Sequence, residues 1–260
     1  MNILITGGRG GIALQVAKKL AVYDVTIYLS VHTINQLNTL KKSLCNYKNI
    51  KVLKLDVTNN NDVKLIENLR IDILFSNAGI GMGGSIADIP LYLVKENYNV
   101  NVFGNFNVVQ TVLKGMIERG SGRIIIMSSL LGIAPLKFLG VYSSTKAAII
   151  SLTTSLQKEI KLLNKNIRVC LIEPGAYHTG FNQVMLNNKY DYMKKNSFFI
   201  SKLSSIRKKE NRLFNFIEKK NIDNIVNKIV DSIISNNPKK IYRAPFLQVL
   251  FIKIYSFIFM

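Results

Sequence analysis

Two clusters of residues in this 260-residue chain have the types and spacing for chemistry. Tyr142 and Lys146 stand four positions apart, so on a helix they share a face. A phenol is a poor acid–base group at neutral pH, its ordinary pKa being about 10. A nearby ammonium favours the phenolate and draws that value down, toward what general acid–base work requires. A Tyr-x-x-x-Lys pair is common by chance, so its surroundings have to carry the argument. Upstream, Ser128-Ser129 follows the apolar run Arg123–Met127. That puts two hydroxyls at the carboxyl edge of an expected strand, where open α/β sheets bind ligands, although an ordinary turn reads the same way. The second cluster is Thr6-Gly7-Gly8-Arg9-Gly10-Gly11-Ile12-Ala13, between the short run Ile3–Ile5 and a helical pattern. Glycines there let the backbone approach a pyrophosphate, and the helix start supplies N–H groups and a positive dipole end. No Lys-Ser/Thr pair follows the last glycine, which excludes an NTPase phosphate loop.

Such groups need a scaffold, and the chain supplies one. Strands are expected at Ile3–Ile5, Val25–Leu29, Lys51–Leu55, Ile73–Phe75, Arg123–Met127 and Arg168–Ile172. Most are continuous apolar runs, as in strands buried on both faces of a parallel sheet. Helical periods separate them: Ala13, Val16, Ala17 and Leu20 share one face, and Leu152, Leu156 and Ile160 another. This alternation predicts an α/β fold, a doubly wound parallel sheet in a single domain over residues 1–243. Hydrophobic residues make up 48% and charged ones 19%, a globular balance. The two cysteines, Cys45 and Cys170, are read as reduced thiols of a cytoplasmic protein. With only His32 and His178 beside them, a His/Cys metal site is not expected. No secretory leader is read at the amino terminus. The net charge of +20 has two readings, a compositional bias of the source or attraction to anionic ligands and membrane surfaces. No nucleic-acid motif accompanies it.

Past Gly180 the chain is rich in Lys and Asn, with Leu213, Phe216 and Ile217 at helical spacing. The apolar tail 244–260 would span about 25 Å as a helix, short of the roughly 30 Å hydrocarbon core, and carries Lys253 in its middle. Three readings stay open for it: packing on the protein's own surface, packing on a partner subunit, or a peripheral membrane contact flanked by Lys239, Lys240 and Arg243.

The loop with Thr6, Gly7, Gly11 and Ile12, and the Ser129, Tyr142, Lys146 set in chain order, resemble the short-chain dehydrogenase/reductase family. Ala13 stands where the family usually has a third glycine. Further matches are Asn77-Ala78-Gly79, with Ser76 replacing an Asn, then Asn101 in Asn99–Gly104, and Pro174-Gly175 with Thr179. Asp56, followed by Val57, matches the acid near the adenine ring. The resemblance implies a Rossmann fold and a catalytic tetrad: Ser129 on the substrate oxygen, Tyr142 as proton donor or acceptor, Lys146 on the nicotinamide ribose, Asn101 holding a relay water. It further implies a lid at about 180–220, a homodimer or homotetramer, and hydride transfer between a nicotinamide and a small-molecule carbonyl or alcohol. Within the family the chain looks similar to the hydroxysteroid and retinol dehydrogenase branch, which implies an apolar substrate. Strand two ends in Ser30-Val31-His32 with no acid for ribose hydroxyls, and Arg9 can meet a phosphate, so NADP is expected over NAD. His178 is read either as a surface residue or as lining the substrate pocket. The rival reading is an NADP-binding regulator or membrane-surface protein without catalysis; such relatives usually lose the tyrosine or the lysine, and both are present.

Overall fold

The computed structural model describes residues 1–259, apart from the side chains of Asn196, Lys253 and residues 255–259. Seven strands form one sheet: β1 (Asn2–Ile5), β2 (Thr26–Val31), β3 (Ile50–Lys54), β4 (Ile73–Ser76), β5 (Ser121–Met127), β6 (Asn166–Pro174) and β7 (Ile241–Ala244). Their order is β3-β2-β1-β4-β5-β6-β7, and every pairing is parallel. The order reverses between β1 and β4, which opens a crevice at the carboxyl ends of those strands. This is the doubly wound fold that the alternation of apolar runs and helical periods predicts.

The helices are α1 (Gly11–Leu20), α2 (Ile34–Ser43), α3 (Asn60–Leu65), α4 (Leu91–Tyr98), α5 (Asn105–Arg119), α6 (Gly140–Leu162), α7 (Phe181–Asn196), α8 (Leu203–Ile217), α9 (Asp223–Ile234) and α10 (Phe246–Phe259). Side chains alternate along each strand, so the sheet feeds two cores. Ile3, Ile5, Ile27 and Ile172 face α1, α2 and α9, where Ala13, Val16, Ala17 and Leu20 are wholly buried. Leu4, Leu74, Ile124 and Leu171 face α3, α5 and α6. The expected face of α6 is buried only toward its end: Ile160 is buried, whereas Leu152 is exposed.

The six expected strands differ from the observed ones by a residue or two at their ends. β7 is not foreseen. It is four residues long, starts at an exposed Ile241, and follows Lys239 and Lys240, so its apolar signal is weak. Tyr242 and Ala244 nonetheless enter the α1/α9 core. Leu213 and Phe216, read at helical spacing, do lie on one helix, α8, and are both exposed. Among the described residues no helix is long and apolar enough to cross a membrane. The side chain of Lys253, used above against a membrane span, and Met260 lie outside the described residues.

Candidate active site

A cavity of about 1550 Å³ runs along the carboxyl edge of the sheet. The glycine turn closes one end of it. Gly7 has φ +70°, and a side chain there would lie 2.9 Å from the Ala78 Cα, so the turn demands glycine. Gly10 precedes α1 and no side chain caps the helix, so its first-turn N–H groups meet no internal side-chain acceptor. Gly11, Ile12 and Ala13 line the cavity at that point. Thr179 packs across the turn, its Cβ 3.2 Å from where a Gly11 side chain would stand.

Thr6, expected among the cofactor contacts, is wholly buried and does not line the cavity. Its Oγ1 accepts from the Asn77 and Ala78 N–H groups, both at 2.9 Å, and so joins the ends of β1 and β4. Asn77, Ala78 and Gly79 do line the cavity, as do Arg9, His32, Asp56 and Val57 around the end of β2. Burial works against the Asp56 carboxylate. Hydrogen bonds from Thr58 and the nearby His32 and Lys54 more than offset it and hold its pKa below the ordinary value.

Ser129, Tyr142 and Lys146 meet at the middle of the same cavity. Ser129 follows β5, and its Oγ accepts from the Leu131 N–H at 3.2 Å. The same Oγ donates to the Pro174 carbonyl at 3.5 Å, and Ser129 sits close enough to the Tyr142 hydroxyl to favour its phenolate. Tyr142 and Lys146 sit on successive turns of α6, the ammonium 5.7 Å from the phenol ring centre. Lys146 is 3% exposed and its Nζ donates to the Met127 carbonyl at 3.1 Å. Burial pulls its pKa down to about 8. The Tyr142 phenol departs from the sequence expectation. Burial raises its pKa and only the neighbouring Ser129 hydroxyl opposes this, with no lowering by Lys146. At 5.7 Å from the ring, the ammonium is directed to a backbone carbonyl and not to the phenol oxygen.

Asn101 is fully buried in a π-helical turn, Asn99–Gly104, and stands behind the cavity wall. Its amide brackets Ile80, accepting from the N–H at 2.8 Å and donating to the carbonyl at 2.9 Å, with a second donation to Thr145. Two neighbours on the same helical stripe were missed from sequence. Asn97 accepts from the Met82 N–H, and Asn105 donates to the carbonyls of Ala78, Val100 and Asn101 while accepting from Ser76. Three asparagines at intervals of four, all buried, were the available signal. Together they pin the loop after β4, whose carbonyls and amides have no ladder partner.

Beyond Ser129, Tyr142 and Lys146 the cavity is covered by α7, α8 and α10. Lys189 of α7 is fully buried, paired with Glu210 of α8, which also accepts from the Tyr190 hydroxyl. Gln248 of α10 was also missed. Its Oε1 accepts from the Ala176 N–H at 2.7 Å and its Nε2 donates to the Ile217 carbonyl at 2.7 Å. A side chain on Gly175 would run into that amide, so Pro174 and Gly175 are held under α10. His178 takes the surface reading: it pairs with Glu218 at 2.9 Å and does not line the cavity.

The short chain dehydrogenase family model matches residues 1–189, well over half the chain, and the protein belongs to the short-chain dehydrogenase/reductase family. The chain is 30% identical to the 3-ketodihydrosphingosine reductase of Bacteroides thetaiotaomicron, over 96% of this chain and 90% of that one. It is 32% identical to retinol dehydrogenase 8 of Homo sapiens over 71% of its own length and 61% of that protein. Among solved structures, the closed form of a serine dehydrogenase complexed with NADP+ superposes with a TM-score of 0.67 at 27% identity, covering 75% of this chain and 80% of the other. The protein is an NAD(P)-dependent oxidoreductase acting on CH–OH donors or the matching carbonyls.

Proposed function

We propose that the protein interconverts a ketone and a secondary alcohol on an apolar, long-chain substrate, using NADP(H) in preference to NAD(H). The observation that carries the reading is that Ser129, Tyr142 and Lys146, all buried, together line the cavity that starts at the glycine turn. The groups on the cavity edge fit a dinucleotide. The uncapped start of α1 suits a pyrophosphate. Arg9 and His32, both exposed and with no acid between them at the end of β2, suit a ribose phosphate. Asp56 and Val57 flank the adenine position, Asn77 to Gly79 the middle, and Pro174, Gly175 and Thr179 the nicotinamide end. When bound, the nicotinamide supplies or takes up the hydride.

The chain's own residues handle the oxygen and its proton. Ser129 and Tyr142 line the same stretch of the cavity, where a substrate oxygen can accept from both hydroxyls. In reduction Tyr142 gives its proton to the developing alkoxide; in oxidation it takes the alcohol's proton. Lys146, its pKa near 8, holds a proton that neutral solution can replace. The Asn101 Oδ1 keeps one lone pair beyond its bond from Ile80, which suits a water leading to Lys146. The apolar-substrate reading is supported by Leu131, Leu136, Phe181, Val184 and Leu213, which line the cavity past Tyr142, with α7 and α8 as lid. Exposed Phe103 beside α5 and Leu152 on α6 support pairing of two chains through that layer.

Replacing Tyr142 by Phe tests the reading. NADPH oxidation against long-chain 3-oxo compounds should fall about 10²–10⁴-fold while NADPH binding, read by its fluorescence, persists. Near-full turnover by Y142F would refute the assignment.

A further inference from the structure

The outer surface of α10 is apolar where a solvated helix should be polar. Phe246, Leu247, Leu250 and Ile254 are 74%, 68%, 45% and 51% exposed, and Phe251 is 65% exposed. At 100° per residue these five fall within an arc of about 140°, while Gln248, Val249 and Ile252 turn inward to the protein. The helix is thus apolar on both sides: the inner one packs on Leu130 and Ala134, and the outer one lies exposed. This surface continues into the cavity mouth, because Leu247 and Phe251 line it, together with Leu213 and Phe216 of α8. Phe216 is 88% exposed.

The charges beside this surface are of one sign. Residues 202–220 carry Lys202, Arg207, Lys208, Lys209, Arg212, Lys219 and Lys220, against only Glu210 and Glu218. Both acids turn inward: Glu210 to Lys189 and Tyr190, Glu218 to His178, Asn182 and Gln183. On α8, Lys209, Arg212, Leu213 and Phe216 lie within about 100° of one another, so cations border the aromatic. The cations expected to flank the tail do not serve. Arg243 pairs with the buried Glu173. Lys239 and Lys240 precede β7 and stand about 13 Å back along that strand.

We propose that the cavity mouth docks on an anionic phospholipid bilayer, α10 lying in the interface with Phe246, Leu250 and Ile254 inserted and α8 setting Lys209 and Arg212 at the headgroups. The apolar substrate then enters sideways from the lipid, between α8 and α10, without crossing water. This rests on the apolar-substrate reading above, and it names where that substrate comes from. Monotopic binding of this kind needs both apolar insertion and attraction to anionic headgroups.

The test is co-sedimentation of the full chain with vesicles of phosphatidylglycerol and phosphatidylcholine, and with phosphatidylcholine alone. Binding is expected to the first, to weaken with salt, and to drop about tenfold or more in F246E/L250E. K209Q/R212Q should weaken it about 25-fold, at about fivefold per cation. NADPH binding and reduction of a short, water-soluble ketone should be unchanged in both variants, since none of these four side chains lines the cavity. Wild-type protein that ignores anionic vesicles, or variants that bind them as well as wild type, would overturn the proposal. So would F246E/L250E dissociating a dimer at unchanged vesicle affinity, which would assign the surface to a second copy. Failure of the catalytic reading shows separately, as no turnover of the soluble ketone by the wild type.

Discussion

Replacing Lys146 by methionine should disable the protein and yet stabilise it at neutral pH. The lysine is only 3% exposed, and its pKa falls from 10.5 to about 8 because burial penalises the ammonium. At 1.36 kcal/mol per pH unit, that fall corresponds to about 3 kcal/mol. The sign follows from proton counting. Between pH 8 and 10.5 the unfolded chain still holds the proton that the folded chain has released, so stability rises with pH through that window. Below pH 8 the full penalty applies. Methionine has similar length and no charge, but it forfeits the bond to the Met127 carbonyl, worth about 1 kcal/mol. The variant should therefore be about 2 kcal/mol more stable than wild type at pH 7 and about 1 kcal/mol less stable above pH 10.5, where the wild-type lysine is already neutral. Urea unfolding of both proteins at the two pH values measures this. Taking the difference between them cancels other alkaline groups, such as the Cys170 thiol that burial pushes up to about 11. A variant less stable by the same amount at both pH values would refute the buried-charge argument.

Two further substitutions probe the cofactor edge. Arg9→Ala should raise the KM for NADPH about tenfold and leave that for NADH nearly unchanged, as expected for one charge-assisted contact to a phosphate; equal effects on both would remove Arg9 from that role. Thr6→Val keeps the side-chain shape but strips the acceptor from the Asn77 and Ala78 N–H groups. Thermal or urea unfolding should show a loss of about 2–3 kcal/mol, and a loss under about 0.5 kcal/mol would deny the clamp.

The sheet and the meeting of Ser129, Tyr142 and Lys146 in one cavity were legible in the sequence for different reasons. Strands such as Ile124–Met127 are buried on both faces, so their composition alone announces them. Tyr142, Lys146 and Ser129 are legible because acid–base chemistry restricts residue type and spacing together. Beyond Gly180 neither constraint operates. β7 is short and starts exposed, and α8 has the period of a packed helix while turning Phe216 outward. Gln248 gives no local hint, since its partners are 72 and 31 residues away. The asparagines at 97, 101 and 105 were readable as a stripe, but only Asn101 was, because the resemblance names a single asparagine.

The covering segments and the loop after β6 act as one hydrogen-bonded unit, which bears on how substrate entry and the cofactor edge communicate. Lys219, just past α8, donates to the Ala176 carbonyl at 3.1 Å and accepts from the His178 N–H at 3.0 Å. Gln248 of α10 holds the Ala176 N–H, and Thr179 at the far end of the loop packs over the glycine turn. Moving α8 and α10 apart to admit a long apolar molecule therefore pulls on the same four-residue stretch, Ala176–Thr179, that borders the proposed nicotinamide position. Opening costs the two Gln248 bonds and the Lys219 bridge, each worth about 1 kcal/mol net when water replaces them. On the docking proposed above, a bilayer that grips the outer side of α10 would offset that cost at the moment of entry and so couple the lipid-facing surface to the loop beside the dinucleotide position.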